Sequence, residues 1–411
     1  MKKIIAVVLP VLMMCGCGSV GKTESENVPA AATVESSAVE TTSETSEILE
    51  TAETTELPPE PVTAPPSAAE IRLSEMTLHE KICQMFIVEP EKFSPEAAFT
   101  VVGENFHSGL GEYPVGGFIF FAKNIQTSEQ TSKMLKDIQD TALNSGTGVF
   151  LAVDEEGGCV TRVQSQLGTE SVYSMRYYGD LNDREQAFSV GETIGDYLAY
   201  YGFNVDFAPV ADVNISSQNE LGSRIFSSDP HITAEMSAAV STGLQSKGVC
   251  STLKHFPGLG AGSGNTHYGT VYIDRTYEEL LETEFTAFRG GIEAGCDFVM
   301  VGHQVTSASG DDLPGDLSSE VVGKWLRNTL KFDGIAITDS HSMGAVANVY
   351  DSGEAAVKAV EAGIDIILMP RDLPTAVKGL TDAVNSGEIT EERIDESVLR
   401  ILEKKSKMGL I

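Results

Sequence analysis

Basic residues are scarce: 28 Lys and Arg stand against 60 Asp and Glu in 411 residues, a formal net charge of −32. A chain so acidic has no face to neutralise phosphates, which excludes nucleic acid as a partner. It also excludes an electrostatic hold on anionic lipid. The cysteines beyond the N-terminus, Cys83, Cys159, Cys250 and Cys296, are far apart and show no metal-ligand spacing. Cys250 and Cys296 sit in or beside apolar runs, as core thiols do. No apolar run reaches the roughly 20 residues that span a bilayer. No GxGxxG opens a helix after the first strand-like run, which weakens a dinucleotide-binding open sheet. Nothing in the sequence asks for a metal or another cofactor.

The N-terminus has a secretory shape: Lys2-Lys3, then the apolar residues 4–14, too short to span. Met14-Cys15-Gly16-Cys17-Gly18-Ser19 resembles a bacterial lipobox, with small Gly16 just before Cys17. Cleavage there leaves Cys17 as a lipidated N-terminus; Cys15 is the alternative, since Leu12 lies three residues before it. Residues 17–70 carry eleven Glu against the single Lys22 and are otherwise mostly Ser, Thr, Ala and Pro. Such a stretch buries too little apolar surface to offset its ordering entropy and is expected to be a disordered tether. The expected organisation is therefore a lipoprotein signal over 1–16, a tether over 17–70 and a barrel domain over 71–411. It places the protein on the extracellular face of the cell membrane, held only through its lipid; a plain secretory signal and a secreted protein are the alternative.

From residue 71 on, short apolar runs alternate with helical patterns. The runs cover 84–89, 116–121, 148–154, 203–209, 249–256, 297–303, 334–339 and 365–370. Helices are expected over 127–143, 183–200, 232–247, 276–294, 353–362, 372–386 and 390–408. Many runs are apolar on both faces, as buried parallel strands are. Eight of them alternating with helices give an α/β fold of the (β/α)8 TIM-barrel type, with a doubly wound open sheet as the alternative. With the last helix closing the barrel, no second large domain is expected. Asp154, Asp206, Lys254-His255, His303 and Asp339 all fall at or near carboxyl ends of these strands, the rim where barrels carry their chemistry.

Lys254-His255-Phe256-Pro257-Gly258, followed by Asn265-Thr266-His267, is the most informative stretch. It resembles glycoside hydrolase family 3, in the β-N-acetylglucosaminidase branch, whose signature reads KHFPGHG with a following D-S-H. The resemblance starts at Met76-Thr77-Leu78-His79-Glu80-Lys81 and includes Asp154-Glu155-Glu156-Gly157-Gly158 with Arg162. It continues through Asn204-Val205-Asp206-Phe207-Ala208-Pro209-Val210 and Ser223-Arg224-Ile225-Phe226-Ser227, then Thr338-Asp339 with Met343. It ends at Ala362-Gly363-Ile364-Asp365 before Leu368-Met369-Pro370.

The resemblance implies a retaining glycosidase without cofactor or metal, acting on a saccharide that contains N-acetylglucosamine. Asp339 would be the nucleophile, because a carboxylate can stabilise an oxocarbenium-like transition state and form a glycosyl ester. His267 would be the general acid and base, since it titrates near neutrality. Asp154, Arg162, Arg224, Lys254 and His255 would hold the sugar. His303 is a candidate for the pocket lining, and Glu155 and Glu156 could orient Arg162 or Asp154. His341 has no assigned role.

Three departures stand out. Asn265 replaces the aspartate that the family pairs with its loop histidine; its carbonyl can still accept the ring N–H but brings no charge. Leu259 replaces the second histidine of KHFPGHG, and Cys159 replaces the arginine after EGG. These changes keep an altered or slow hydrolase and a sugar-binding protein without turnover both in play. A β-glucosidase or β-xylosidase of the same family is a further alternative, as is a lyase using Lys254 as a Schiff base.

Overall fold

A computed structural model describes residues 65–411. The signal, Cys15 and Cys17, and all but the last few residues of the expected tether lie outside the described residues. Within them, a helix already begins at Ala68, where Ser67 and Glu70 form a reciprocal capping box.

Helix starts follow local chemistry. Asp183, Asp229, Asp351 and Asp372 each accept a backbone N–H at the first turn of the helices Arg184–Tyr201, Pro230–Ser246, Ser352–Ala362 and Leu373–Ser386. Gly202, Gly363 and Gly387 end three of these in left-handed conformation. The helix expected over 276–294 is broken at Thr283 into Tyr277–Glu282 and Glu284–Glu293. Several helical segments had no expectation, among them Ala68–Glu75, Leu78–Gln84, Glu104–Glu112, Met175–Leu181 and the π-wound Glu320–Thr329.

Each expected apolar run holds one short barrel strand. These are β1 (Phe86–Val88), β2 (Gly117–Phe120), β3 (Phe150–Val153), β4 (Val205–Asp206) and β5 (Thr252–Phe256), then β7 (Phe298–Val301), β9 (Ile335–Thr338) and β10 (Ile367–Leu368). Two short outer strands, β6 (Tyr272–Ile273) and β8 (Val305–Thr306), pair with each other. All pairs are parallel, in the orders β10-β1-β2-β3-β4 and β5-β7-β9. Parallel bridges Val205–Cys250 and Val210–Lys254 join the β4 segment to the β5 segment, and Ile337–Ile366 joins β9 to the start of β10. The ring is thereby closed, giving the TIM-type barrel. Phenylalanines fill its interior, with Phe150 and Phe298 meeting edge to face at 5.4 Å. Outside it, Arg184–Tyr201 and Pro230–Ser246 cross where both carry glycine. A Cβ on Gly191 would stand 2.2 Å from the Val240 carbonyl oxygen, so no larger residue fits that crossing.

Candidate active site

A cavity of about 440 Å³ opens among the carboxyl ends of the barrel strands. Asp154, Arg162, Arg224, Lys254, His255, His267 and Asp339 all line it. Asn265, Asp206 and His303 do not. Asp206 is fully buried; its Oδ1 accepts the Glu155 N–H at 2.9 Å and its Oδ2 has no partner among the described residues. Burial, with Glu155 and Asp154 nearby, raises its carboxyl well above the usual range.

One wall is a sealed ion cluster. Lys254 Nζ lies 2.8 Å from Asp154 Oδ1 and 2.6 Å from Glu156 Oε1. Arg224 grips Glu156 bidentately, Nε to Oε2 at 2.7 Å and Nη2 to Oε1 at 2.8 Å. Burial alone would push the Glu156 carboxyl up, but Lys254 and Arg224 outweigh it and hold it at about 2. Burial likewise opposes the Lys254 charge, yet Asp154 and Glu156 raise its ammonium above the ordinary lysine range. A Schiff base needs a neutral amine, so this lysine is set against the lyase alternative. Glu156 therefore serves Lys254 and Arg224 rather than Arg162.

The neighbouring carboxylate works through the backbone. Glu155 accepts the N–H groups of Arg162, Val163 and Gln164 at 2.6, 2.8 and 3.0 Å, which fixes the turn carrying Arg162. Asp212 does the same for the KHFPG segment. Its carboxylate takes the His255 N–H at 3.0 Å, His255 Nδ1 at 2.8 Å and the Leu259 N–H at 2.6 Å. Sequence reasoning missed Asp212; its one signal was a buried-looking aspartate just past the 203–209 run. Leu259 packs with Val210, Leu221, Ile225, Val271 and Ile273 in a satellite apolar cluster. The position where the family carries histidine thus anchors the loop instead. Cys159 is exposed at the tip of the Gly157–Val160 turn and is not part of the lining.

Asp339 follows β9, and its Oδ1 accepts the Ser340 N–H at 2.7 Å. Burial acts to raise its carboxyl, but His303, His255, that N–H and Lys254 together lower it below the usual range. It is an anion available for attack at any neutral pH.

The His267 segment is docked on the stretch after Asp339. The His267 and Thr266 carbonyls accept the N–H groups of Gly344 and Ala345 at 3.0 and 3.2 Å, and Thr266 binds Glu220 through its N–H and hydroxyl. The Asn265 carbonyl, expected on the ring N–H of His267, instead accepts the His267 backbone N–H at 2.9 Å. A two-residue spacing favours that local turn, because the side chain of an Asn readily reaches the N–H two residues on. His267 itself is exposed at the cavity edge. Among the described residues no group of three or more His, Cys, Asp or Glu is arranged to hold a metal ion.

Closed parallel strands with a polar pocket at their carboxyl rim put the molecule in the (β/α)8 class. Within that class the likenesses are specific. The model of the Glycosyl hydrolase family 3 N terminal domain matches residues 77–404. A "Beta-hexosaminidase" of Nitrosomonas eutropha is 32% identical over 292 residues, 70% of this chain and 82% of that protein. "Beta-hexosaminidase A" of Pseudoalteromonas piscicida is 27% identical over 342 residues, 76% of this chain and 56% of that one. The solved structure of a family 3 beta-N-acetylglucosaminidase from Paenibacillus sp. str. FPU-7 superposes with a TM-score of 0.77 at 33% identity, covering 82% of this chain and 63% of that chain. The chain belongs to glycosyl hydrolase family 3. It spans less than two-thirds of the Pseudoalteromonas and Paenibacillus proteins.

Proposed function

We propose that this chain is a retaining, exo-acting β-N-acetylhexosaminidase that removes terminal N-acetylglucosamine from cell-wall fragments or glycans. One observation carries the reading: an ionised Asp339, the His267 imidazole and the Lys254 ion cluster all face a single cavity. Its volume of about 440 Å³ is at the small end of the roughly 300–1,000 Å³ of ligand pockets, which suits one terminal sugar. Asp154, Lys254, Arg224, His255 and Arg162 hold the hydroxyl and N-acetyl groups. Asp339 attacks the anomeric carbon while His267 gives its proton to the leaving oxygen. A glycosyl ester forms; His267 then takes a proton from water, which releases the sugar with its original configuration. The hexosaminidase names of the relatives support the N-acetyl sugar over glucose or xylose.

A panel of chromogenic glycosides tests this. Preference for the N-acetylglucosaminide, with the β-anomer appearing first by proton NMR, is the expected outcome. Preference for the glucoside or xyloside, or an α-anomer product, overturns it. The Asn265 side chain on the His267 backbone rather than on its ring favours a second reading, a saccharide-holding protein with little or no turnover. Calorimetric binding of N-acetylglucosamine with silence on every glycoside marks that case. The Lys2-Lys3 start, the apolar residues 4–14 and Cys17 support a lipid-anchored place outside the membrane. Labelled palmitate should enter the chain and be lost in Cys17→Ala.

A further inference from the structure

We propose that His303, Asp316 and His341 are positioning residues for Asp339: a buried cluster that clamps the Ser340 peptide and keeps a cationic imidazole beside the nucleophile. The inference rests on the glycosidase reading above. All three side chains are buried, His303 and Asp316 completely. His303 Nδ1 lies 3.0 Å from Asp316 Oδ1, and its Nε2 lies 2.9 Å from the Ser340 carbonyl oxygen. A carboxylate and a carbonyl are both acceptors, so each ring nitrogen must donate. A neutral imidazole has one N–H; only the imidazolium satisfies both contacts.

His341 completes the arrangement. Its Nε2 donates to Asp316 Oδ2 at 2.8 Å, while its Nδ1 is buried with no partner among the described residues. Asp316 thus bridges the two histidines, and both its oxygens are committed. The Ser340 peptide is held on both sides: its N–H on Asp339 Oδ1 at 2.7 Å, its carbonyl on His303. The His341 N–H also ties this turn to the Leu368 carbonyl of β10 at 2.9 Å. Asp-Ser-His at 339–341 is therefore one device: the reacting carboxylate, the peptide that orients it and the ring that fixes Asp316.

The charges agree with the geometry. Burial alone would strip the His303 proton, but Asp316 outweighs it and lifts the ring to about 9. Against the same burial, His303 and His341 hold Asp316 at about 2. His303, His255 and Lys254 are the side chains near Asp339 that lower its carboxyl. Asp339 and Tyr350 are the other titratable groups around Asp316 and its two rings; burial first, then Glu354 and Asp316, keep the Tyr350 hydroxyl protonated.

Asp316→Asn tests the cluster. It keeps the shape but removes the charge that holds the His303 proton. The acid limb of the kcat profile on an aryl N-acetylglucosaminide should move up by about one pH unit, with KM little changed. An unmoved limb overturns the proposal. A second readout needs no turnover: nitrogen-15 spectra of histidine-labelled protein at pH 7.5, with His303→Gln for assignment. Two protonated ring nitrogens on His303 in the native chain, and one in Asp316→Asn, are expected. A singly protonated His303 in the native chain overturns the proposal. Should Asp316→Asn fail to fold, His303→Gln must show the same shift of the acid limb. Should the native chain hydrolyse no glycoside, the glycosidase reading fails, and the spectra alone decide the cluster.

Discussion

The barrel buries a lysine at each end, and the pKa values of the two are pushed in opposite directions. At the carboxyl rim Lys254 meets Asp154 and Glu156 within 2.8 Å and stays protonated. At the amino base Lys405 is completely buried, its Nζ on Gln84 Oε1 at 2.7 Å and 5.1 Å from the centre of the Phe150 ring. No carboxylate reaches it among the described residues. Burial first, and the Arg72 guanidinium second, push its amine well below the ordinary range. Desolvation opposes the charge at both ends; the counter-ion decides. The rim pairs its buried lysine with carboxylates that line the cavity, and the base leaves its buried lysine with an amide oxygen.

The largest effect should come from Asp339, a rim anion that makes no salt bridge among the described residues. Asp339→Ala is expected to cut kcat by about 10⁴-fold or more while leaving N-acetylglucosamine binding nearly intact by calorimetry. Turnover within tenfold of the native rate would end the nucleophile assignment. Next is Glu156→Gln, which leaves Arg224 without its counter-ion and Lys254 with Asp154 alone. Removing one partner of a buried pair costs roughly 3–5 kcal/mol, so a clear fall in thermal midpoint is expected. A melt within a degree of the native one would show that the cluster is relaxed by water.

Lys405→Met sharpens the contrast from the base. The folded state binds fewer protons at Lys405 than the unfolded chain, so this amine costs stability at every pH below about 10.5. Methionine fills the same space without that cost, though Gln84 Oε1 loses its donor, worth about 1 kcal/mol. A net gain of roughly 1–3 kcal/mol at pH 7 is expected, shrinking as pH rises. His303 has the opposite sign. Its raised value gives stability that is complete below about 6.5 and lost as pH climbs to about 9. In the native chain the two slopes oppose each other over that window. In Lys405→Met a denaturant series should show stability falling from pH 6.5 to 9. A flat or rising profile would contradict the charged His303.

How much of this was legible depended on whether a residue's signal was local. Parallel strands buried on both faces read as apolar runs, so all eight barrel strands could be placed. Asp154, Lys254 and Asp339 were visible because they close such runs. Asp212 and Asp316 were not, since each is a lone aspartate whose value lies in backbone and imidazole groups distant in sequence. Lys405 had a readable signal that was passed over. It lies on the stripe of Ile394, Val398, Ile401 and Leu402 that buries the last helix. Beside Lys404 and Lys407 it reads as one more solvated charge.

The smallest expected effect concerns Asn265, the rim position where charge is missing rather than balanced. Its carbonyl oxygen accepts the His267 N–H at 2.9 Å. In Asn265→Asp one carboxylate oxygen can keep that bond while the other brings a negative charge near the exposed imidazole. A nearby anion favours the protonated ring, so more of the enzyme holds the acid needed for the first step. Near the surface such a pair is worth about 1 kcal/mol or less, which limits the gain to roughly threefold to fivefold in kcat. The basic limb of the rate profile on an aryl N-acetylglucosaminide should move upward with it. If the rate is unchanged or lower, the missing charge does not explain the departure from the family pattern. The buried anchor at Leu259 then becomes the better account, because a loop held by an apolar cluster presents its histidine in one fixed place whatever its charge.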